Sequence, residues 1–351
     1  MLAGLCALWF GYAGLVYIVL RELGWSRLRH RLGALFLILL SVAGLPGAGM
    51  LKIAWPHRKR VLALFITTKS PTIEWSTGCS MFPANNAWNT RVFSLPLDPS
   101  SERWQQSMFP ERQLHADFAM PFNVIYGDHP KSIVNIDASG ESDAGPYRLP
   151  DDAVVEDGSD SHLLVVDTGL CRLYELYGAK KLGSQEWTTG SAAIFDLRSN
   201  ALRPETWTSA DGAGLPILPG LVRYDEVKSG RIAHALRFTS PRTQRLYIWP
   251  ARHFASHFND ADLPPMGARF RLKNSYDISG FSPDAQVILT ALKEYGMILS
   301  DNGGAWFLTG VTDSRWSRAL VRELMKVTGE DFEAVDVSKI MIDKDSAAAQ
   351  Q

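Results

Sequence analysis

The chain has 351 residues, of which 46% are hydrophobic and 21% are charged, and its formal net charge is −1. These are ordinary values for a folded globular protein, so they exclude a chain that is mostly disordered. The nearly balanced charge provides no basic footprint for DNA or RNA, and we predict no nucleic-acid partner. The length suits one large domain with an appendage.

The appendage is N-terminal. Residues 1–20 and residues 32–51 are both free of charged side chains, and each run is long enough to span a bilayer. Four arginines lie in the connector between the two runs. We therefore predict a two-helix transmembrane hairpin over residues 1–51, followed by a basic linker over residues 52–74.

The side of the membrane is less directly encoded. Arginines before the second span and basic residues directly after it nearly balance each other, so the positive-inside rule alone does not decide. Translation from Met50, with VLALFI as a short apolar signal, is an alternative start. We expect the main domain to lie outside the cytoplasm, in the periplasm or the extracellular space, on the basis of its cysteines and composition.

From Trp75 onward the sequence changes to short apolar runs separated by turn residues, which predicts a β-rich domain over residues 75–340. The clearest hairpin covers residues 162–178, with Gly169 in its turn. Strands at this spacing are typical of an antiparallel sandwich or a jelly-roll-like fold.

Helical periodicity occurs only near the C-terminus. Residues 283–297 follow Ser282 as a cap and carry one apolar face, and residues 314–329 form a second amphipathic helix. Between these helices, ILSDNGGAWFLTG reads as a hairpin with its turn at Asp301–Gly304. Residues 341–351 are predicted to be a disordered tail.

Potential ligand-binding chemistry concentrates between Trp207 and His253. This stretch combines a loop rich in glycine and proline with two predicted strands, IAHALRFT and RLYIWPARH, and each strand contains a histidine. The loop GAGLPILPG lacks the lysine and the following helix of a phosphate-binding loop. There is also no GxSxG nucleophile motif.

The chain contains three cysteines. Cys79 begins the globular part and Cys171 opens a strand after a tight turn, so a disulfide between them is one hypothesis. Two unpaired buried thiols are the alternative, because a sequence does not show whether the Cβ atoms face each other.

Glycoside hydrolysis requires two carboxyl groups across a cleft. The candidate acids are Asp196, Glu205, Asp211, Asp225, Glu226 and Asp301. Adjacent residues of a strand point to opposite faces, so only one of Asp225 and Glu226 can enter a site. We select Glu226 and Asp301 as catalytic candidates. His234 is a candidate orienting partner, because it follows Glu226 by eight positions.

Aromatic rings are candidates for stacking on sugars, although core packing is the better explanation for each ring taken alone. We select as substrate-binding candidates Trp207, Asp211, Tyr224, Trp249 and His253. Neither HExxH nor CxxC occurs, so we predict neither a metal site nor a cofactor.

The motifs FPANNAWN, SAAIFDLRSNALRPETWTSADGAGLPILPGLVRYDEV, YIWPARH and ALKEYGMILSDNG resemble a group of secreted or envelope-attached bacterial β-rich proteins with no established activity. The resemblance extends from Phe82 to Gly310. It implies an exported β-rich domain and draws attention to Glu226, His234 and Asp301, but it implies no substrate. The two N-terminal spans depart from the simple export signal of that group.

The functional expectation is a membrane-tethered, extracytoplasmic carbohydrate-active domain. Its partners would be the membrane and a polysaccharide or other envelope glycan. In the enzymatic form it would be a glycoside hydrolase. The alternatives are a non-catalytic glycan- or surface-binding module and a structural envelope protein.

Overall fold

The computed structural model describes residues 79–351, and this part of the chain is mainly β, as predicted. It contains thirteen strands: β1 (His115–Met120), β2 (Asn123–Ile125), β3 (Ile133–Ile136), β4 (Leu163–Asp167), β5 (Arg172–Tyr177), β6 (Lys180–Gly183), β7 (Glu186–Thr189), β8 (Ser191–Asp196), β9 (Leu236–Ser240), β10 (Arg269–Leu272), β11 (Met297–Asn302), β12 (Phe307–Val311) and β13 (Phe332–Val335). Its four α-helices are α1 (Ser101–Ser107), α2 (Tyr224–Ser229), α3 (Pro283–Glu294) and α4 (Arg318–Leu324).

The strands form three sheets with the orders β1-β12-β9-β11-β10-β13, β2-β4-β5-β8 and β3-β7-β6. Each sheet is mixed, because β1 runs parallel to β12, β9 to β11, β2 to β4, and β3 to β7. The sheets are thus mixed, whereas the sequence analysis predicted an antiparallel sandwich or jelly-roll-like fold. Parallel pairs join strands that are distant in sequence, and local turn signals do not reveal them.

The largest sheet contains the most informative departure from the prediction. β11 and β12 do not form a hairpin with each other, because β9 lies between them and pairs with both strands. Asp301 near the end of β11 and Thr309 in β12 therefore lie on opposite sides of β9. Gly303 is held in the connection by a hydrogen bond from its amide to the Ser240 carbonyl.

The predicted hairpin over residues 162–178 is confirmed, with β4 and β5 antiparallel from Leu163↔Leu176 to Asp167↔Arg172. The predicted strand RLYIWPARH is absent apart from an isolated bridge at Tyr247. Pro250 has no amide hydrogen to donate to a sheet, which accounts for the missing ladder. In IAHALRFT only the second half is a strand, since β9 begins at Leu236.

Both C-terminal helices are present. The Ser282 side chain accepts a hydrogen bond from the Ala285 amide at the start of α3, and Ile288 and Leu292 are buried on the inner face of the helix. α4 is shorter than predicted and begins after Ser317, whose side chain accepts from the Leu320 amide.

The last residues, predicted to form a disordered tail, pack against the domain. The Ser346 carbonyl accepts a hydrogen bond from the Trp249 indole at 2.7 Å, and Asp345 forms an ion pair with Arg252 at 3.1 Å. Ala347 and Ala349 are buried. Both side chains pack in a hydrophobic cluster with Trp249 and Val335. Two small apolar residues are a weak sequence signal, so composition alone favours disorder here.

The predicted transmembrane hairpin, the linker and the alternative start at Met50 lie outside the described residues. Within residues 79–351, no helix is both long and apolar enough to cross a bilayer.

The disulfide hypothesis is confirmed. Cys79 and Cys171 are bonded, with their Cα atoms 5.4 Å apart and a separation of 92 positions in sequence. The bond attaches the first described residue to the turn between β4 and β5.

Replacing both bonded cysteines by serine should lower the free energy of unfolding by about 2–5 kcal/mol, because the bridge closes a long loop in the unfolded chain. Urea unfolding of the oxidised wild type and of the C79S/C171S variant measures this loss. C6S is the matched control, since it removes a cysteine and leaves the bridge intact. Equal unfolding midpoints for the wild type and the double variant would contradict the prediction.

Candidate functional site

A buried arginine lies at the centre of the candidate site. Arg237 in β9 donates from Nε and Nη2 to the two carboxylate oxygens of Asp211, both at 2.6 Å. Its Nη1 donates to the Thr309 hydroxyl at 2.7 Å. Both members of the Arg237–Asp211 pair are buried. A bidentate pair of this kind fixes the position and the plane of both groups.

Asp301 lies beside this pair and is partly exposed. Burial of its carboxyl raises its pKa, and the negative charge of Asp211 and a hydrogen bond between the two carboxyl groups raise it further. The positive charge of Arg237 and the amide of Gly212 oppose this shift, and the pKa of Asp301 comes to about 8. At neutral pH the Asp301 carboxyl is therefore mostly protonated and is able to donate its proton.

Gly212 allows this close approach. A Cβ atom at position 212 would lie 2.5 Å from Oδ1 of Asp301 and 2.8 Å from Cβ of Ala255. On the other side of the glycine, Nδ1 of His253 lies 2.9 Å from the Gly212 carbonyl oxygen. A carbonyl only accepts, so Nδ1 carries the hydrogen. Asp301 and His253 thus contact the same residue.

The Nε2 atom of His253 is available for chemistry. The imidazole side chain is 23% exposed, and Nε2 lies 3.9 Å from a carboxylate oxygen of Glu141, which is beyond hydrogen-bond distance. With Nδ1 committed as a donor, a neutral ring presents Nε2 as a proton acceptor. A partly exposed acid and a partly exposed base therefore flank Gly212.

The loop that carries Asp211 is anchored from the four-stranded sheet. Glu175 in β5 is completely buried and accepts hydrogen bonds from the amides of Ile217 and Leu218 at 2.8–3.0 Å. Burial raises the pKa of Glu175, the two amides lower it, and the result is about 7. The Ser191 hydroxyl adds a second anchor by donating to the Ser209 carbonyl at 2.8 Å.

Glu226 and His234 belong to a second cluster. Glu226 lies in the first turn of α2, not in a strand, and its two carboxylate oxygens face Nη2 of Arg223 at 2.7 Å and Nε2 of His234 at 3.2 Å. Burial raises the pKa of Glu226, but the charges of Arg223 and His234 and their hydrogen bonds outweigh it and bring the pKa to about 2. Glu226 is thus an anion at neutral pH. Asp225 points elsewhere and pairs with Arg315 at 2.8 Å.

The predicted aromatic candidates lie in different surroundings. Trp249 is buried, so its ring is not presented to solvent. Trp207 is partly exposed, with the Arg203 guanidinium 5.5 Å from its ring centre. Tyr224 at the start of α2 has the Arg315 guanidinium 4.1 Å over its ring.

The structure thus brings together three of the predicted site residues, Asp211, His253 and Asp301, and places Glu226 with His234 in a cluster of their own. The sequence analysis missed Arg237, Gly212 and Glu175. Two of these carried a signal: Arg237 and Glu175 are single charges inside the apolar runs ALRFT and LYELY, where a charge has to find a buried partner.

Within residues 79–351, no group of three or more histidine, cysteine, aspartate or glutamate side chains is arranged to hold a metal ion. Comparison with known proteins adds no assignment: no family model matches the chain, and neither a curated protein nor a solved structure is significantly similar to it.

Replacing Glu226 by glutamine should lower the free energy of unfolding by about 3–5 kcal/mol, because the buried Arg223 would lose its anionic partner. Asp225→Asn is the matched control on the same helical turn. Its ion pair with Arg315 is exposed, so the loss should stay within about 1 kcal/mol. Urea unfolding of both variants tests the difference. Similar losses of unfolding free energy in the two variants would contradict the assignment of Glu226 as the partner of the buried Arg223.

Asp301 should make stability fall as the pH rises. Its pKa is about 8 in the folded chain and about 4 in an unfolded chain. Between these values the folded state binds more protons, and stability decreases with increasing pH. Asp301→Asn removes this dependence, so the stability of the variant relative to the wild type should increase from about pH 4 to about pH 8. Urea unfolding across this range measures it, and a constant difference would show that Asp301 titrates normally.

Proposed function

We propose that the protein is a membrane-tethered, extracytoplasmic hydrolase of an envelope or extracellular glycan, with Asp301 as its general acid. The observation that carries this proposal is that Asp301, a partly exposed residue, has a carboxyl group whose pKa is raised to about 8, so that it retains its proton at neutral pH. Cleavage of a glycosidic bond requires such a group to protonate the leaving oxygen.

The paired carboxyl groups support a division of roles. In glycoside hydrolases the two catalytic carboxyls are separated by about 5–5.5 Å or by about 6.5–9.5 Å. Asp211 instead interacts with Asp301 through a hydrogen bond between the two carboxyl groups, as in a proton-sharing pair. Asp211 therefore serves to keep the proton on Asp301, and the second catalytic group comes from elsewhere.

His253 suits that second role. Its Nε2 accepts a proton from the attacking water while Asp301 donates one to the departing sugar oxygen, so one proton enters the protein and one leaves it. Glu226 is given no chemical step, since Arg223 and His234 hold both of its oxygens. Arg223, the partner of Glu226, also donates a hydrogen bond to the Leu218 carbonyl, in the loop that follows Asp211.

The proposed location rests on two observations. The Cys79–Cys171 disulfide is typical of an oxidising compartment outside the cytoplasm. The uncharged runs of residues 1–20 and 32–51 supply the proposed tether. The same proposal includes the finer fold, in which two transmembrane helices precede in sequence a sandwich or jelly-roll-like packing of the sheets.

Asp301→Asn should decrease glycan cleavage by about 10²–10⁴-fold, which is the usual contribution of a positioned general acid. The full-length chain is incubated with a panel of envelope and extracellular polysaccharides, and new reducing ends are counted. Asp196→Asn is the matched control because Asp196 is exposed and lies outside the site, and it should leave the rate unchanged.

The same panel separates the proposal from a glycan-binding module. If a polysaccharide is retained without any product, and Asp301→Asn leaves this retention unchanged, the protein is a glycan-binding module and not an enzyme. Neither retention nor product on any polysaccharide would favour a structural envelope protein.

A further inference from the structure

His162 precedes β4 and forms a clamp with two acceptors. Its Nδ1 lies 2.5 Å from a carboxylate oxygen of Glu156, and its Nε2 lies 3.1 Å from the carbonyl oxygen of Ala210. The ring is buried, with 6% of its side chain exposed. A carboxylate and a carbonyl only accept, so both ring nitrogens carry hydrogen and the ring is an imidazolium.

The clamp acts on the residue before Asp211. Ala210 is buried, and the neighbouring Ser209 hydroxyl lies 2.6 Å from the Leu215 carbonyl and 2.8 Å from the Asp211 carbonyl. These bonds shape the loop internally. The bond from His162 to Ala210 instead ties the loop to the four-stranded sheet.

The surroundings of His162 favour its charged form. Burial lowers its pKa, but the hydrogen bond and the charge of Glu156 outweigh burial, so that the pKa is raised. Among the other charged groups that act on His162, Asp211 and Glu175 favour the cation and Arg237 opposes it. The ring of Tyr177 packs 5.7 Å from the imidazole.

We propose that His162 is a positioning residue for the Asp211–Asp301 pair, and that it acts through the Ala210 carbonyl. The value of this role for catalysis rests on the proposed function, whereas the clamp itself does not. If Nε2 lost its hydrogen, its lone pair would face the carbonyl oxygen and repel it. Asp211 would then move away from Asp301, and the pKa of Asp301 would fall towards its ordinary value.

Two neutral replacements separate position from charge. The amide nitrogen of glutamine occupies the place of Nε2 and can still donate to Ala210, whereas that of asparagine occupies the place of Nδ1 and reaches only Glu156. Both variants lose the imidazolium charge equally. Carbon-13 NMR of the Asp301 carboxyl, assigned by its absence in Asp301→Asn, reports the titration midpoint in the full-length chain.

The midpoint in His162→Asn should be lower than in His162→Gln by about half a pH unit or more. Equal midpoints in the two variants would overturn the proposal. If only the charge of His162 mattered, the Asp301 midpoint would rise in both variants, because both substitutions remove a positive charge from the neighbourhood of Asp211.

A second measurement does not depend on the folding of either variant. In the wild type, the amide signal of Asp211, which belongs to the same peptide group as the Ala210 carbonyl, should shift with the same midpoint as the ring signals of His162. If the His162 ring titrates and this amide does not respond with the same midpoint, the clamp is absent. Neither measurement uses a substrate, so a negative result here is independent of a negative result with the polysaccharide panel.

Discussion

The pair between Arg237 and Asp211 determines the electrostatics of the whole candidate site. Two buried charges are stable only if each satisfies the other, and the bidentate geometry at 2.6 Å does so. With these charges balanced, a second anion at Asp301 would leave the buried cluster with a net charge of −1. The cluster avoids this by retaining a proton on Asp301. The acid of the site is therefore a consequence of how a neighbouring ion pair is buried.

This electrostatic arrangement depends on two sheets that meet at one loop. The six-stranded sheet supplies Arg237 and Asp301, whereas Asp211 comes from the loop that Glu175 and Ser191 anchor to the four-stranded sheet. The position of Asp211 relative to Arg237 is thus set by contacts on both sides. Side chains held by two sheets in this way are positioned more accurately than side chains on a free loop.

The sequence predicted the parts that local rules control. The hairpin over residues 162–178 and the cap at Ser282 follow from turn chemistry and capping, whereas the Cys79–Cys171 bond was one of two hypotheses that the sequence left open. The site depends on a non-local feature, the position of β9 between β11 and β12. Local signals at Asp301–Gly304 predicted a hairpin between β11 and β12 instead. Asp301 was selected for its residue type, but its arginine partner could be known only from the strand order.

The same sheet contains the buried Arg269, and its contacts differ from those of Arg237. Arg269 in β10 donates to the backbone carbonyls of Ala87, Thr90 and Tyr295, and burial lowers its pKa to about 9. Its hydrogen bonds to the Ala87 and Thr90 carbonyls attach the chain segment that follows Cys79 to the sheet. Arg237 uses the same geometry on a carboxylate, which raises its own pKa and leaves a second carboxyl group beside it protonated. Arg237 therefore differs from Arg269 in that an aspartate carboxylate, and not a set of backbone carbonyls, receives the hydrogen bonds of its Nε and Nη2 atoms.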